Sequence, residues 1–542
     1  MRAFDITLRD GLWRGIRTDH RAPINTEVLV DLLNVKSDEM GLFTLETIVD
    51  RFADRVDLTW PFPQLIHGRG TTLLFDKTSL KEVDTSVDKW TLTSVTTYDA
   101  FEFQTQKAIK SGSQWHFADF FGTWFAFNGS CVLFRWNISQ LIPNVNTDVV
   151  FVADAQAGLE QVSIQTGCDL RGRLLMGGFE ADKFWTSAWE TLWSAWESDL
   201  PSNFTSSREF DTNYVLWSSI GGGDALFYFY ADLAMYGMFG VTRSANANSL
   251  GVFSAGHHDT GRPLWFDYLR RNDLGWMPMP WQGTVQKLAA LSKAAMVYGT
   301  GGVSALPLHT EPVSTLGLVD FKGLPGIASR GAAGGSESRQ VWVDLGGDVW
   351  TIDNQLQPQR LGYRELFKDR ISLGDEINVS YDPKLDEFYI GLDDRTYLLT
   401  RHGMSRLGKL VTSVARINKE LVGVAKATGE SGFMCETGLM DMKSRAFKTI
   451  TTVTVGASAK VNVYISVFYR HEKSAPWRQT MWFPCSNEGV AYPNISGTDF
   501  RIAVRSSDTT IDLDYITITY QTPDKRASRS INVSSFTPGT NT

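Results

Sequence analysis

A mainly β chain is predicted: a degenerate β-propeller with helical insertions, followed by a C-terminal β-sandwich. Three observations carry this reading. Short strand pairs joined by turn residues recur through most of the 542 residues. Their spacing is 50 residues from Phe75 to Phe125 and 46 from Trp342 to Phe388, close to the period in the forties of four-stranded propeller blades. After about Ser444 strict alternation of apolar and polar residues takes over, the mark of antiparallel strands with one buried face. A run of unrelated hairpins in a sandwich is the alternative arrangement of the same strands.

Length alone implies two or three units. Residues 1–70 read as a segment feeding the propeller, 71–440 as the propeller, 444–522 as the sandwich and 523–542 as a tail ordered only against a partner. The first strand pair is Thr72 to Leu80. The second, Trp124 to Trp136, turns at Asn128-Gly129, a pair that tolerates the positive φ angles of a type I′ turn. Val341 to Trp350, turning at Gly346-Gly347, and Phe388 to Leu399, turning at Asp393-Asp394, have the same form.

Two helical insertions interrupt the strands. In the first, within 181–213, Trp185, Trp189, Trp193 and Trp196 are spaced 4, 4 and 3 and fall on one helix face, which Pro201 ends. Such a stripe can stack on sugars or sit at a membrane. Glu190, Glu197 and Asp199 on the polar face favour core or subunit packing, because membrane-surface helices carry Lys and Arg there. The second helix is expected over 284–298, from a Thr284 N-cap to a Gly299 C-cap, with Val285, Leu288, Leu291 and Ala295 as its apolar stripe. Before it, Trp276-Met-Pro-Met-Pro-Trp281 is a rigid connector, read either as a docking loop or as a packed linker. Trp276 and Trp281 join the four stripe tryptophans as candidate interface residues. The load of 18 Trp and 32 Phe fits a wide inter-sheet core, a subunit built to assemble, or both.

Composition narrows the function. A net charge of −8 argues against wrapping nucleic acid, which needs surplus Lys and Arg; a lumen that only lets DNA pass is compatible with it. The N-terminus MRAFDITLRDGLWRG places charges where a signal peptide needs an apolar core, so secretory export is not expected. Cys131, Cys168, Cys435 and Cys485 lie far apart without C-x-x-C spacing, which suits reduced thiols better than zinc or redox sites. Six N-x-S/T sequons, Asn128 and Asn494 among them, carry no information without a signal peptide.

Catalytic patterns fail one by one. Gly334-Gly335-Ser336-Glu337-Ser338 lacks the last glycine of a nucleophile elbow and reads as a loop tip. Neither Gly221-Gly222-Gly223 nor Gly299-Thr-Gly301-Gly302 runs on to the Gly-Lys-Ser/Thr of a phosphate loop. His257-His258-Asp259 has no second histidine cluster, and His309-Thr-Glu311 has no P-C-x-x-C partner. No enzyme, cofactor or metal is expected.

A set of motifs in sequence order resembles the propeller-bearing nozzle, or tail-hub, proteins of short-tailed phages. They are Gly122-Thr-Trp-Phe-Ala-Phe-Asn-Gly, Arg173-Leu-Leu-Met-Gly-Gly, Val215-Leu-Trp-Ser-Ser, Met296 to Ala305, Gly323-Leu-Pro-Gly-Ile-Ala-Ser-Arg-Gly and Val341 to Asp353. The insert Ala181 to Asn213 departs from the family pattern. The resemblance implies a structural virion protein made in the host cytoplasm. It further implies a homo-oligomeric ring, hexameric in relatives, that meets an adaptor ring and a plug, needle or fibre while DNA passes through. A receptor- or glycan-binding tail protein is the alternative.

Overall fold

The computed structural model describes residues 2–7, 29–38, 41–68, 71–99, 105–120, 123–137, 148–153, 162–181, 212–217, 275–309 and 315–522, the last with gaps at 429, 431, 445, 459–461 and 509–511. The expected first helix, its four tryptophans, the His257 cluster and the tail from Pro523 lie outside the described residues. The chain is mainly β, built from several open sheets. Its contacts divide it into a larger unit, 48–393 with 411–425, and a smaller one, 1–47 with 394–410 and 426–542.

The larger unit is a series of up-and-down meanders. The first runs Gln64–Gly68, Thr71–Phe75, Leu80–Asp84 and Thr91–Ser94. The second has His116–Phe120, Thr123–Phe127, Val132–Asn137 and Asp148–Ala153, with Thr97–Asp99 added parallel at its far edge. The third has Val162–Leu170, Arg173–Ala181, Tyr214–Trp217 and Gly275–Pro278. In the fourth, Val285–Leu291, Ala294–Gly299 and Val303–His309 are followed by short strands at 315–316 and 319–320. The fifth has Ala333–Gly335, Arg339–Val343, Val349–Asp353 and Gln359–Gly362. After the helix α1, Arg364–Ser372, a sixth begins with Asn378–Asp382 and Glu387–Gly391. A last hairpin from Lys409–Ile417 and Glu420–Ala427 takes Val49 beside Val422 in a parallel bridge.

Apolar side chains fill the spaces between successive meanders. Phe75, Trp115, Trp124 and Leu133 pack the first against the second. Cys168, Leu175, Trp217, Leu288 and Val297 pack the third against the fourth. Leu65, Leu74 and Trp90 meet Ile417, Val422 and Val424 of the last hairpin. Strands covered in this way read as apolar runs instead of alternating ones, as in Leu73 to Phe75, Trp124 to Phe127 and Ala294–Gly299.

Two local expectations are corrected. The stretch 284–298 is not a helix but a hairpin, Val285–Leu291 against Ala294–Gly299, turning at Ser292 with φ 44°. Its buried positions Val285, Leu288 and Leu291 are three residues apart for two reasons: a bulge between Val285 and Lys287 shifts the first interval, and Leu288 and Leu291, in regular register, are buried on opposite faces of the strand. That spacing imitates a helical stripe, and packing between two meanders overrides the helix propensity of its alanines. Gly299 is no helix cap. A Cβ there would lie 2.1 Å from the Trp281 ring, so the glycine makes room for the indole. The Asn128-Gly129 turn is also different: the strands join at Phe127 and Val132, with four residues between them. Asn128 closes the loop by accepting the Ser130 and Cys131 N–H groups at its Oδ1, and of the turn pair only Gly129 has a positive φ.

The fifth meander bears out the hairpin read around Gly346-Gly347. The Asp344 carboxylate organises its turn, accepting N–H groups of Gly346 and Asp348 on one oxygen and the Trp350 indole N–H, at 2.7 Å, on the other. Both strands read around Asp393-Asp394 also form, and Ser336 and Ser338 sit at a loop tip between Ala333–Gly335 and Arg339–Val343.

The smaller unit has two sheets. In one, Leu513–Gln521 lies between Arg2–Thr7 and Lys448–Ala457, so the chain's opening strand belongs with its last. In the other, Phe433–Thr437, Asp499–Ser506 and Val463–Arg470 are neighbours, with Leu29–Leu33 beyond the first. The alternation read after Ser444 is real: Val463, Ile465, Val467, Ile502 and Val504 are buried, as are Ile450, Val453, Ile516 and Ile518 of the first sheet.

Replacing Gly299 with Ala is expected to destabilise the chain by about 1–3 kcal/mol through overpacking against Trp281. Combining it with Trp281→Phe, which withdraws part of the ring, should recover much of that loss. Urea denaturation of the single and double variants measures both, and additive losses would show that the two residues do not touch.

Candidate functional site

The most organised polar group in the chain lies on the first strands of the meanders. The first strand of an open meander has an unpaired edge, and its N–H and C=O groups need partners once water is excluded. Here neighbouring meanders supply them in a circuit that returns to its start. Trp115 N–H of the second meander donates to Gln64 Oε1 of the first, at 2.6 Å. His116 Nδ1 lies 2.9 Å from Thr166 Oγ1 of the third. Leu288 N–H of the fourth donates to the same oxygen at 2.9 Å. Lys287 Nζ donates to the Ala333 carbonyl of the fifth, and Gln340 Nε2 returns a bond to the Ala290 carbonyl at 2.6 Å. Val379 N–H of the sixth donates to Gly331 O at 2.9 Å. Asn378 Nδ2 reaches the Thr412 carbonyl in the last hairpin. Thr412 Oγ1 donates to Pro63 O at 2.7 Å, and Leu65 N–H to Ser413 Oγ at 2.6 Å, back on the first meander.

His116 is the best-defined member. Its Nε2 lies 3.2 Å from the Arg330 carbonyl, which can only accept, so this nitrogen carries the proton. Nδ1 is then an acceptor for the Thr166 hydroxyl, whose oxygen in turn accepts from Leu288 N–H. Every partner fits the neutral ring. Burial, then the nearby Arg330 and Lys287 charges, hold its pKa well below the ordinary histidine value.

Arg330 reaches across three meanders. Its Nη1 donates to Gln165 Oε1 at 2.7 Å and its Nη2 to the Phe127 carbonyl at 2.8 Å. Burial lowers its pKa, against a guanidinium's strong preference for charge. Burial also pushes the Lys287 ammonium down to about 8, with Arg330 adding to the shift. Elsewhere salt bridges brace adjacent meanders: Arg339 to Asp386 at 3.1 Å, Arg416 to the buried Asp382, and Arg51 to Glu420.

A second feature lies on the smaller unit. Opposite its buried apolar face, the sheet of Asp499–Ser506 and Val463–Arg470 pairs Tyr464 with Arg505 and Phe468 with Arg501. The Arg505 guanidinium carbon is 4.3 Å from the Trp482 ring centre and 5.4 Å from that of Tyr464. Arg501 stacks on Phe468 and Trp477, and Arg470 on Trp477. Arg501 and Arg470 have acid partners, Glu436 and Asp499, both at 2.8 Å. Arg505 is exposed and has no acid partner among the described residues, and beside Trp482 Met481 is 75% exposed. Trp, Tyr, Arg and Met together are the composition of interface cores.

Of the candidate interface residues, Trp185, Trp189, Trp193 and Trp196 lie outside the described residues. Trp276 stands in the strand Gly275–Pro278, opposite Leu216. Trp281 is half-buried, donates its indole N–H to Ser304 Oγ at 3.0 Å and covers Gly299 and Gly302. The connector is therefore a strand followed by an anchored indole. Sequence reading missed the Arg–aromatic face. Its signal was present in the aromatic and arginine residues at the nominally polar positions Tyr464, Phe468, Arg501 and Arg505. It also missed the circuit, whose members share no spacing.

The cysteines are free: Cys131, Cys168 and Cys435 are buried and Cys485 is half-buried, with burial pushing the Cys485 thiol up to about 11. Among the described residues no group of His, Cys, Asp and Glu could hold a metal ion, and no helix is long and apolar enough to cross a membrane.

No protein-family model matches the chain, and no curated protein does. Solved structures give weak likenesses. PorZ, a bacterial surface component of the type-IX secretion system of Porphyromonas gingivalis, aligns with a TM-score of 0.31 at 10% identity, over 69% of this chain and 36% of PorZ. This chain thus spans about a third of that protein. YjhT aligns with a TM-score of 0.30 at 10% identity, over 72% of this chain and 97% of its own. An exo-β-1,3-galactanase from Phanerochaete chrysosporium gives 0.24 at 8% identity, over 76% and 96%.

Two tests follow from the circuit. Thr166→Val leaves Leu288 N–H and His116 Nδ1 without partners and should cost about 2–4 kcal/mol, read by urea denaturation at pH 7.5. For His116 the folded pKa lies below the unfolded one. As pH falls through 6.5 the unfolded chain takes up a proton that the folded chain refuses, so stability drops. His116→Gln should flatten that decline between pH 6.5 and 5. An unchanged acid limb would assign it to other groups.

Proposed function

We propose that the chain is a structural virion protein, the ring-forming nozzle at the distal end of a short phage tail. In this reading the meanders of the larger unit are propeller blades, and the two sheets of the smaller unit form a β-sandwich. The supporting observation is where the resembling motifs fall. Phe125 and its neighbours, Leu174 to Gly178, Met296 to Gly299 and Val341 to Val343 all occupy the second strand of their meander. Val215 to Trp217, Val303 to Ala305 and Val349 to Asp353 occupy the third. Five of the six motifs thus fall on equivalent strands of one repeated unit, the property that a blade resemblance requires, while Gly323 to Gly331 lies in the connection before the fifth meander. The insert that departs from the pattern leaves the third meander between its second and third strands.

The physical logic favours a scaffold. Blades arranged round an axis leave few free edges, so many copies can crowd together without pairing edge to edge. Cyclic symmetry then encloses a channel through which DNA passes without sequence-specific contact. The Arg505–Trp482–Met481 surface and the insert supply places for an adaptor ring, a plug, a needle or a fibre to dock. A receptor- or glycan-binding tail protein is the second reading, supported by the same exposed aromatic and arginine side chains.

Purified chain in the ultracentrifuge should be mainly monomeric at micromolar concentration and assemble into rings on addition of the adaptor. Negative-stain images of the mixture should show it capping the tail tube. A tight dimer that ignores the adaptor, or decoration of a fibre in place of the tube end, would overturn the nozzle assignment. Arg505→Glu with Trp482→Ala is expected to leave unfolding of the isolated chain within about 1 kcal/mol of wild type, as for an exposed stack, while lowering incorporation into particles. Particles that incorporate the variant normally but no longer adsorb to cells would favour the receptor reading.

A further inference from the structure

On the sheet of Asp499–Ser506 and Val463–Arg470, arginines and acids pair off until one guanidinium is left. Arg470 meets Asp499, its neighbour across the ladder, and Arg501 meets Glu436, both at 2.8 Å. Glu436 stands beside Asp31 of the next strand, and Asp31 is taken by Arg406 at 3.0 Å. Arg505 lies on the same face as Arg501, is exposed, and has no acid partner among the described residues. Its cross-strand neighbours are Met434 on one side and Tyr464 on the other. Its guanidinium lies over the Trp482 and Tyr464 rings, and Met481, next to Trp482, is 75% exposed. The unmatched cation thus stands in apolar surroundings that already hold its planar head, so a partner is met with less than the usual loss of side-chain freedom.

We propose that this surface binds an acidic peptide segment of a partner protein. An Asp or Glu carboxylate takes the open edge of the Arg505 guanidinium in a two-bonded fork, and an apolar neighbour of that acid packs on Met481. The charge count selects this occupant. One open guanidinium matches one carboxylate. A nucleic-acid strand brings a phosphate at every nucleotide and needs a row of free cations, whereas Glu436 and Asp499 already neutralise the neighbouring arginines. A sugar stacks on an open aromatic face, and Tyr464, Phe468, Trp477 and Trp482 each already carry a guanidinium. Methionine, flexible and polarizable, adapts to the apolar side chain beside the acid. The inference rests on the docking role proposed for this face and adds the chemistry of what docks there.

The test follows the methionine methyl resonances of the intact, isotope-labelled chain, with that of Met481 identified by its loss in Met481→Leu. The probe is a blocked peptide, glycine-leucine-glutamate-leucine-glycine, beside its glutamine counterpart. The glutamate peptide should move the Met481 signal saturably at millimolar concentration, and the glutamine peptide should need at least tenfold more. Arg505→Gln should abolish that difference, and Arg505→Lys, which keeps the charge without the fork, should fall between. Equal response to the two peptides, or none to either, overturns the proposal. So does an oligothymidylate or methyl glucuronoside that acts at lower concentration than the glutamate peptide, since it reassigns the face to a phosphate or a sugar acid. Should Arg505→Gln fail to fold, the two peptides compared on wild type decide the matter. Incorporation of Arg505→Gln into particles separates this inference from the docking role. Discrimination between the peptides with normal incorporation keeps the acidic-peptide site and removes the docking role; lost incorporation without discrimination does the reverse.

Discussion

The unpaired edge of each meander's first strand is the constraint on which the larger unit depends. A four-stranded antiparallel unit satisfies its inner ladder bonds and leaves the outer ones open. Burying such an edge against a neighbour is unfavourable unless every exposed N–H and C=O finds a partner. The sequence meets this with short polar side chains at the first strands: Gln64, Thr166, Asn378, Thr412 and Ser413. Each reaches a neighbouring backbone, and all five are buried. Apolar packing through Phe75, Trp115 and Trp217 supplies the driving force, while the polar joints decide which meander meets which.

The joints are chemically different from one another. A Gln closes the first, a Thr–His pair the second, a Lys and a Gln the fourth to fifth, and an Asn the sixth to last. Units of similar apolar character could exchange places at modest cost if packing alone ordered them. A misplaced joint strands buried donors, so the variety acts against permuted arrangements. Thr166 is the most demanding point, since one hydroxyl serves both the histidine of the second meander and a backbone N–H of the fourth.

Strand content, the change of character near Ser444 and the hairpins around Gly346 and Asp393 were legible in the sequence, because alternation and turn chemistry are local signals. The segment 284–298 was misread for a physical reason: a bulge after Val285, and burial of Leu288 and Leu291 on opposite faces of one strand, give a spacing of three that periodicity alone assigns to a helix. Asn128 was placed correctly at a turn, but its side chain caps a four-residue loop, and propensity does not distinguish that from a two-residue turn. The opening strand's pairing with Leu513–Gln521 joins residues some 500 positions apart, and no local pattern encodes it. Trp281 shows the limit for candidate sites. A tryptophan flanked by prolines reads as an exposed anchor until Gly299 and Gly302 are seen to be shaped around its ring.

The same distinction separates the two cationic features. Arg501 and Arg470 on the smaller unit's sheet lie on aromatic faces and have carboxylates within 2.8 Å, so they are satisfied as they stand. Arg505 has its faces occupied by Trp482 and Tyr464 and its edge open to water; solvent screens it, and an anionic partner adds to it at little cost in ordering. Lys287 and Arg330 of the larger unit are met by neutral oxygens, Lys287 by the Ala333 carbonyl and Arg330 by Gln165 Oε1 and the Phe127 carbonyl. His116 needs no charge partner either: its Nε2 donates to the Arg330 carbonyl and its Nδ1 accepts from Thr166, so the neutral ring is satisfied within the circuit.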